Sequence, residues 1–112
     1  MALARLCVSN GVHFYLEHPR PSKAWRLKES QRLFNLPSVA SYEVDWCEYG
    51  LPNRKATRIC SNNSSLASLM VRCSRKHRHS QPLRGGRAKA AAAYPLLFCQ
   101  KLAELHCRAD NA

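Results

Sequence analysis

The sequence predicts an α/β fold, with a sheet of about three strands, flanking helices and a C-terminal helix. Three observations carry that expectation. Runs rich in β-branched and aromatic residues recur at 12–16, 40–46 and 56–60. Segments with apolar residues at helical spacing lie at 23–35 and 95–107. Clusters of proline, glycine, asparagine and serine separate these elements.

Residues 2–9 read as the end of a helix, and Asn10-Gly11 as its C-terminal turn. Val12 to Leu16 reads as a buried strand. It runs into Glu17-His18-Pro19-Arg20-Pro21-Ser22, where two prolines hold an extended loop. Ser22 is the expected N-cap of a helix from Lys23 to about Asn35. Ala24, Leu27 and Phe34, with Trp25 and Leu33 beside them, give that helix one apolar face. Leu36-Pro37-Ser38 closes it.

Ala40 to Trp46 alternates around Tyr42 and Val44 as a second strand, and Tyr49 to Asn53 is turn chemistry. Ala56 to Cys60 reads as a third strand, ended by Ser61-Asn62-Asn63-Ser64. Ser64 or Ser65 then caps a short helix through Leu66, Leu69 and Met70. The last helix, Pro95 to Cys107, carries Phe98, Leu102 and Leu105 on one face, with Pro95 in its first turn. The expected organisation is an α/β segment at 1–71, a basic flexible loop at 72–93 and a helix at 94–112 packing on the same domain. So small a sheet is expected to leave an exposed edge and one bare face, for a partner or missing segment to complete.

Hydrophobic residues at 46% and charged residues at 22% are ordinary globular values and argue against wholesale disorder. The charge balance is unusual: 18 Lys and Arg against seven Asp and Glu give a net charge of +11. Between Glu48 and Glu104 there is no acidic residue. That interval holds Arg54, Lys55, Arg58, Arg75, Lys76, Arg78 and Arg84 among its cations. A long field of one sign attracts polyanions, so nucleic acid is the expected partner. No apolar run approaches a membrane span, and residues 1–10 lack a secretory signal pattern. The expectation is an intracellular protein, nuclear or cytoplasmic.

Six cysteines without a CxxC pair do not form a disulfide scaffold. Cys73, His77 and His79 with Cys99 supply four zinc-ligand types, although the spacing matches no standard finger and the surrounding cations oppose a dication. Cys47 beside Glu48 is a poor thiol nucleophile, because an adjacent anion raises a thiol pKa.

Two segments taken together carry a family resemblance. Phe14-Tyr15-Leu16-Glu17-His18-Pro19-Arg20-Pro21-Ser22 is followed by Trp25, and later comes Cys47-Glu48-Tyr49-Gly50-Leu51-Pro52-Asn53-Arg54-Lys55-Ala56-Thr57-Arg58. In this order they resemble the second half of class I methyltransferase-like domains related to cytosine-C5 DNA methyltransferases. They are most similar to divergent methyltransferase-like open reading frames of protists and algae, some of them associated with mobile elements. Cys73, His77, His79, Leu83-Arg84-Gly85 and Ala92-Ala93-Tyr94-Pro95 extend the likeness.

The resemblance implies part of a Rossmann-like sheet. Glu17 would sit at the carboxyl end of a parallel strand, where α/β sheets bind ligands, and contact a flipped cytosine. Arg54, Lys55 and Arg58 would touch the DNA backbone or help to place the base. His18 departs from the usual Asn. No Pro-Cys dipeptide supplies the methyltransferase nucleophile, and no Gly-x-Gly supplies the S-adenosylmethionine turn. Both features are expected in a preceding half, so this chain alone is expected to hold no S-adenosylmethionine and to transfer no methyl group. Three readings follow: the first is a truncated or degenerate methyltransferase-like fragment keeping part of a DNA-facing surface, and the second a small basic nucleic-acid-binding module, zinc-stabilised and without catalysis. An open reading frame without selected function is the third.

Overall fold

The computed structural model describes residues 2–52, 54–77 and 95–111. The chain is mixed helix and strand, with a three-stranded sheet and a C-terminal helix as expected. The strands are β1 (Tyr15–Pro19), β2 (Ala40–Asp45) and β3 (Ala56–Ser61), in spatial order β1-β3-β2. Both pairings are antiparallel. This corrects the parallel, Rossmann-like expectation: among the described residues no strand has a parallel neighbour. The central strand β3 runs against both neighbours, and each edge strand completes its ladder through it.

Register explains the core. Tyr42 faces Ile59 and Val44 faces Thr57 across β2 and β3, while Tyr15 lies opposite Ser61 across β1 and β3. These residues share one face, because side chains alternate along a strand. On it Val44, Ile59, Trp46, Tyr49, Leu66, Leu69 and Phe98 form one buried cluster. Leu16 and Cys60 pair on the opposite face. There Cys60 joins Phe14, Trp25, Leu33 and Val39 in a second cluster. Both faces are therefore covered, and the expected bare face does not exist. What remains exposed is edge, and β1 carries Pro19 there, a residue edge strands tolerate.

Several elements differ from their local expectation for visible reasons. The first strand starts at Tyr15 instead of Val12, because Asn62 intervenes. Its Oδ1 accepts from the Phe14 N–H at 3.0 Å and its Nδ2 donates to the Val12 carbonyl at 3.0 Å. A side chain thus takes the place of ladder bonds at 12–14.

The helix expected at 23–35 is split into a 3-10 turn, Lys23–Arg26, and an α-helix, Lys28–Phe34. Leu27 is extended between them, with ψ of 148°. Ser22 caps the turn as expected, accepting from the Ala24 N–H. The break is held by Ser30 Oγ donating to the Ala24 carbonyl and Gln31 Nε2 donating to the Trp25 carbonyl. It lets Trp25 and Leu33 reach the same core, with Trp25 Nε1 donating to the Pro19 carbonyl at 3.0 Å. We label the helix at Ala2–Ser9 α1, that at Lys28–Phe34 α2 and that at Leu96–Asn111 α3.

The short helix after β3 is a 3-10 helix, Ser64–Leu69, capped by Asn63 and not by a serine. Helix α3 packs through Phe98, Leu102 and Leu105 as the sequence predicts. It is also pinned by polar contact: Asn63 Nδ2 donates to Tyr15 Oη at 2.9 Å, and Tyr15 Oη lies 3.0 Å from His106 Nδ1. No helix among the described residues is long and apolar enough to cross a membrane.

Candidate metal centre and its arginine neighbours

Strand β2 ends in Asp45 and turns at once into a 3-10 turn, Trp46–Tyr49. Trp46 is fully buried, and the Tyr49 hydroxyl donates to the Leu69 carbonyl. Gly50 closes the turn with φ of 93°, a left-handed conformation that glycine adopts without strain. Cys47 and Glu48, between these two anchors, are half-buried.

Residues 71–77 lie against this turn. The Asp45 N–H donates to the Val71 carbonyl at 2.9 Å, and the Cys73 N–H donates to Asp45 Oδ2 at 2.6 Å. The beginning of the expected basic loop is thereby fixed to the end of β2. Arg75 adopts a left-handed φ of 63°, which curls the chain so that its N–H donates to Cys73 Sγ.

The result is a group of four ligand types, Cys47, Glu48, Cys73 and His77, whose donor atoms all lie within 4.8 Å of one another. Cys73 Sγ is 3.7 Å from His77 Nε2, and His77 Nδ1 is 3.5 Å from Glu48 Oε2. This group can hold a metal ion. Burial pushes the Cys47 thiol up to about 12, helped by its hydrogen bond with Cys73 and by the negative charges of Glu48 and Asp45. Without a cation that thiol stays protonated at neutral pH. A bound dication reverses this logic, because it favours thiolate over thiol.

Of the four ligands expected from the sequence, the structure unites Cys73 and His77. Cys99 lies elsewhere, on α3, facing a depression shared with His13, Phe14 and Tyr15. His79 lies outside the described residues. Cys47 and Glu48 take the remaining positions. The acidic neighbour that makes Cys47 a poor nucleophile is an asset to a cation.

Beside this group stands an arginine network. Glu43 and Asp45 are two apart on β2 and so share a sheet face, with Glu43 opposite Arg58 and Asp45 opposite Ala56 on β3. Arg58 Nη2 donates to Glu43 Oε1 at 3.0 Å, and Arg72 Nη1 donates to Glu43 Oε2 at 2.7 Å. Arg20 reaches both acids, at 3.4 Å from Glu43 and 3.2 Å from Asp45. Arg54 Nε lies 3.3 Å from Asp45 Oδ1, and Arg72 Nε 3.8 Å from Asp45 Oδ2. Arg58 also lies over the Trp25 ring, 5.8 Å from its centroid.

The two acids respond to this setting. The Arg58 hydrogen bond holds the Glu43 carboxyl below its usual value against the cost of burial, with Arg20 and Arg72 adding positive charge. Burial pushes the Asp45 carboxyl up, but the Cys73 N–H and the Arg20 and Arg54 charges outweigh it, so it too is lowered.

A folded pKa depressed below its unfolded value contributes stability that is complete above the unfolded value and lost as pH falls through the folded one. Glu43 stability therefore drains below pH 4.5, its ordinary value. In urea titrations at stepped pH, the wild-type midpoint should fall more steeply below that point than the midpoint of Glu43→Gln. Parallel curves for the two proteins would remove Glu43 from this role.

The structure places the other expected site residues as follows. Arg54 and Arg58 are ion-paired to Asp45 and Glu43. Lys55 follows Arg54 with a left-handed φ of 39°. Arg75 and Lys76 are exposed beside the ligand group, and Arg78 and Arg84 lie outside the described residues. Glu17 is the middle residue of edge strand β1, opposite Ile59, and not at a parallel strand end. Sequence reasoning missed Arg20, Arg72, Glu43 and Asp45 as a unit. The readable signal was two acids at strand spacing in a chain otherwise poor in acid.

Compared with family models, curated proteins and solved structures, the chain matches none.

Proposed function

We propose that this chain is a small, zinc-tied module that binds nucleic acid without catalysing a reaction. The observation that carries the reading is the meeting of Cys47, Glu48, Cys73 and His77 within 4.8 Å. Two cysteines and a histidine suit zinc better than magnesium or calcium, which favour oxygen ligands. Glu48 would supply the fourth ligand. Such a centre would fasten the start of the basic stretch, with Arg75 and Lys76, to the end of β2. Nucleic acid is the polyanion best matched to a net charge of +11.

The test is thermal unfolding with and without zinc, paired with nucleic-acid binding at stepped salt. Zinc at a hundred times its dissociation constant stabilises a fold by about 2.7 kcal/mol. For a domain of this size that raises Tm by on the order of 10 °C. Cys47→Ser with Cys73→Ser should abolish the shift. Affinity for nucleic acid should fall steeply as salt rises. A chain that purifies without metal and melts identically with zinc or chelator sinks the zinc centre. Salt-insensitive or absent binding sinks the nucleic-acid reading.

A further inference from the structure

We infer that Arg20, Arg54, Arg58 and Arg72, mounted on Glu43 and Asp45, form a seat for a phosphodiester group of bound nucleic acid. This deepens the reading above and rests on it for the identity of the ligand. Three features of the network point there.

The first is charge. Four guanidiniums share two carboxylates, which leaves two positive charges uncompensated within the network. A network serving only to hold the fold has no need of that excess, because unbalanced like charges repel.

The second is layering. The Asp45 side chain is 0% exposed, whereas those of Arg54 and Arg72 are 42% and 57% exposed. On the Asp45 side negative charge lies beneath and positive charge above, so an anion approaching there meets guanidinium first; Glu43 is exposed to the same degree as its partner Arg58.

The third is order. Each carboxylate already orients its arginines, so little side-chain freedom remains to be lost when a ligand arrives. A guanidinium has five donors, and its fork matches two phosphate oxygens. The carboxylates accept only some of these donors, and buried Arg58 Nε has no hydrogen-bond acceptor among the described residues.

The seat also adjoins the ligand group. Arg72 precedes Cys73, and the Arg54 carbonyl accepts from the Cys47 N–H at 3.4 Å. The two outer arginines are thus each joined by backbone to a cysteine of the proposed zinc centre.

The experiment uses the full chain, its Arg54→Gln/Arg72→Gln variant and a control, Lys23→Gln/Arg26→Gln. The control removes the same charge from an exposed 3-10 turn. Each protein is titrated with duplex DNA and with single-stranded RNA at stepped salt, and melted with and without inorganic phosphate. All are first shown to melt cooperatively. Should Arg54→Gln/Arg72→Gln not fold, Arg72→Gln alone replaces it.

Loss of a phosphate contact should lower the slope of log affinity against log salt by about one per arginine. The seat predicts that drop, with roughly tenfold weaker binding, in the arginine variant and not in the control. Inorganic phosphate should raise the Tm of wild type and control only. Equal losses in variant and control would overturn the seat in favour of diffuse charge. A phosphate effect that depends on Arg54 and Arg72, with no nucleic-acid binding by any protein, would keep the seat and refute the nucleic-acid reading. Absence of both effects would refute the seat, while zinc binding is judged separately by the cysteine variants.

Discussion

Asp45→Ala is expected to cost about 3–5 kcal/mol, the loss typical when one partner of a buried charge pair is removed. Asp45 is the most connected acid among the described residues. It meets Arg20, Arg54 and Arg72, and it accepts the Cys73 N–H at 2.6 Å. Alanine would leave Arg20, whose side chain is only 18% exposed, without one of its two counter-charges, and would free residues 71–77 from the end of β2. Small domains hold only about 5–15 kcal/mol in total, so the variant should be close to unfolded. Urea unfolding at neutral pH measures the loss. A cost under about 1 kcal/mol, the figure for exposed ion pairs, would show the network to be a surface feature.

Asp45→Asn separates two contributions in the same assay. The amide keeps an oxygen for the Cys73 N–H but removes the negative charge. If charge compensation dominates, Asn should behave like Ala. If the backbone bond dominates, Asn should recover most of the loss.

Elements with complete local signals were legible in the sequence. Strands β2 and β3 follow from alternation and fall within a residue of expectation, and helix α3 follows from helical spacing, starting one residue later and ending four residues later than expected. What the sequence did not disclose depended on distant residues. The start of β1 is set by Asn62, which lies far along the chain and clamps residues 12–14. Strand direction is equally non-local. A strand, helix, strand order suggests parallel pairing, but β3 inserts between β1 and β2 and runs against both.

The ligand group divides in the same way. Cys73 and His77 stand four apart and were readable together, whereas Cys47 becomes their neighbour only when Asp45 draws residues 71–77 alongside the turn after β2. Arg54 and Arg58 were picked out as cations that touch nucleic acid directly. Register places Arg58 opposite Glu43, and Arg54, two residues before β3, is ion-paired to Asp45, so both are held by acids first.

Phe98→Ala should cost a further about 3–5 kcal/mol, the usual penalty for removing a buried aromatic side chain. Phe98, on α3, is 3% exposed. Its ring centroid lies 4.6 Å from that of Trp46 and 5.2 Å from that of Tyr49. Those two residues bracket Cys47 and Glu48 in one 3-10 turn, so Phe98 supports the proposed metal ligands from behind. Truncation leaves a cavity under that turn and weakens the grip of α3, which then relies on Leu102, Leu105 and the Tyr15–His106 contact. Two readouts should move together: the urea midpoint should fall, and zinc affinity should weaken because its ligands lose a rigid base. Leu97→Ala, at an exposed position of the same helix, should change neither by much. A Phe98→Ala protein that unfolds earlier yet binds zinc as wild type does would mean that residues 71–77, and not the packed turn, set the geometry of the centre.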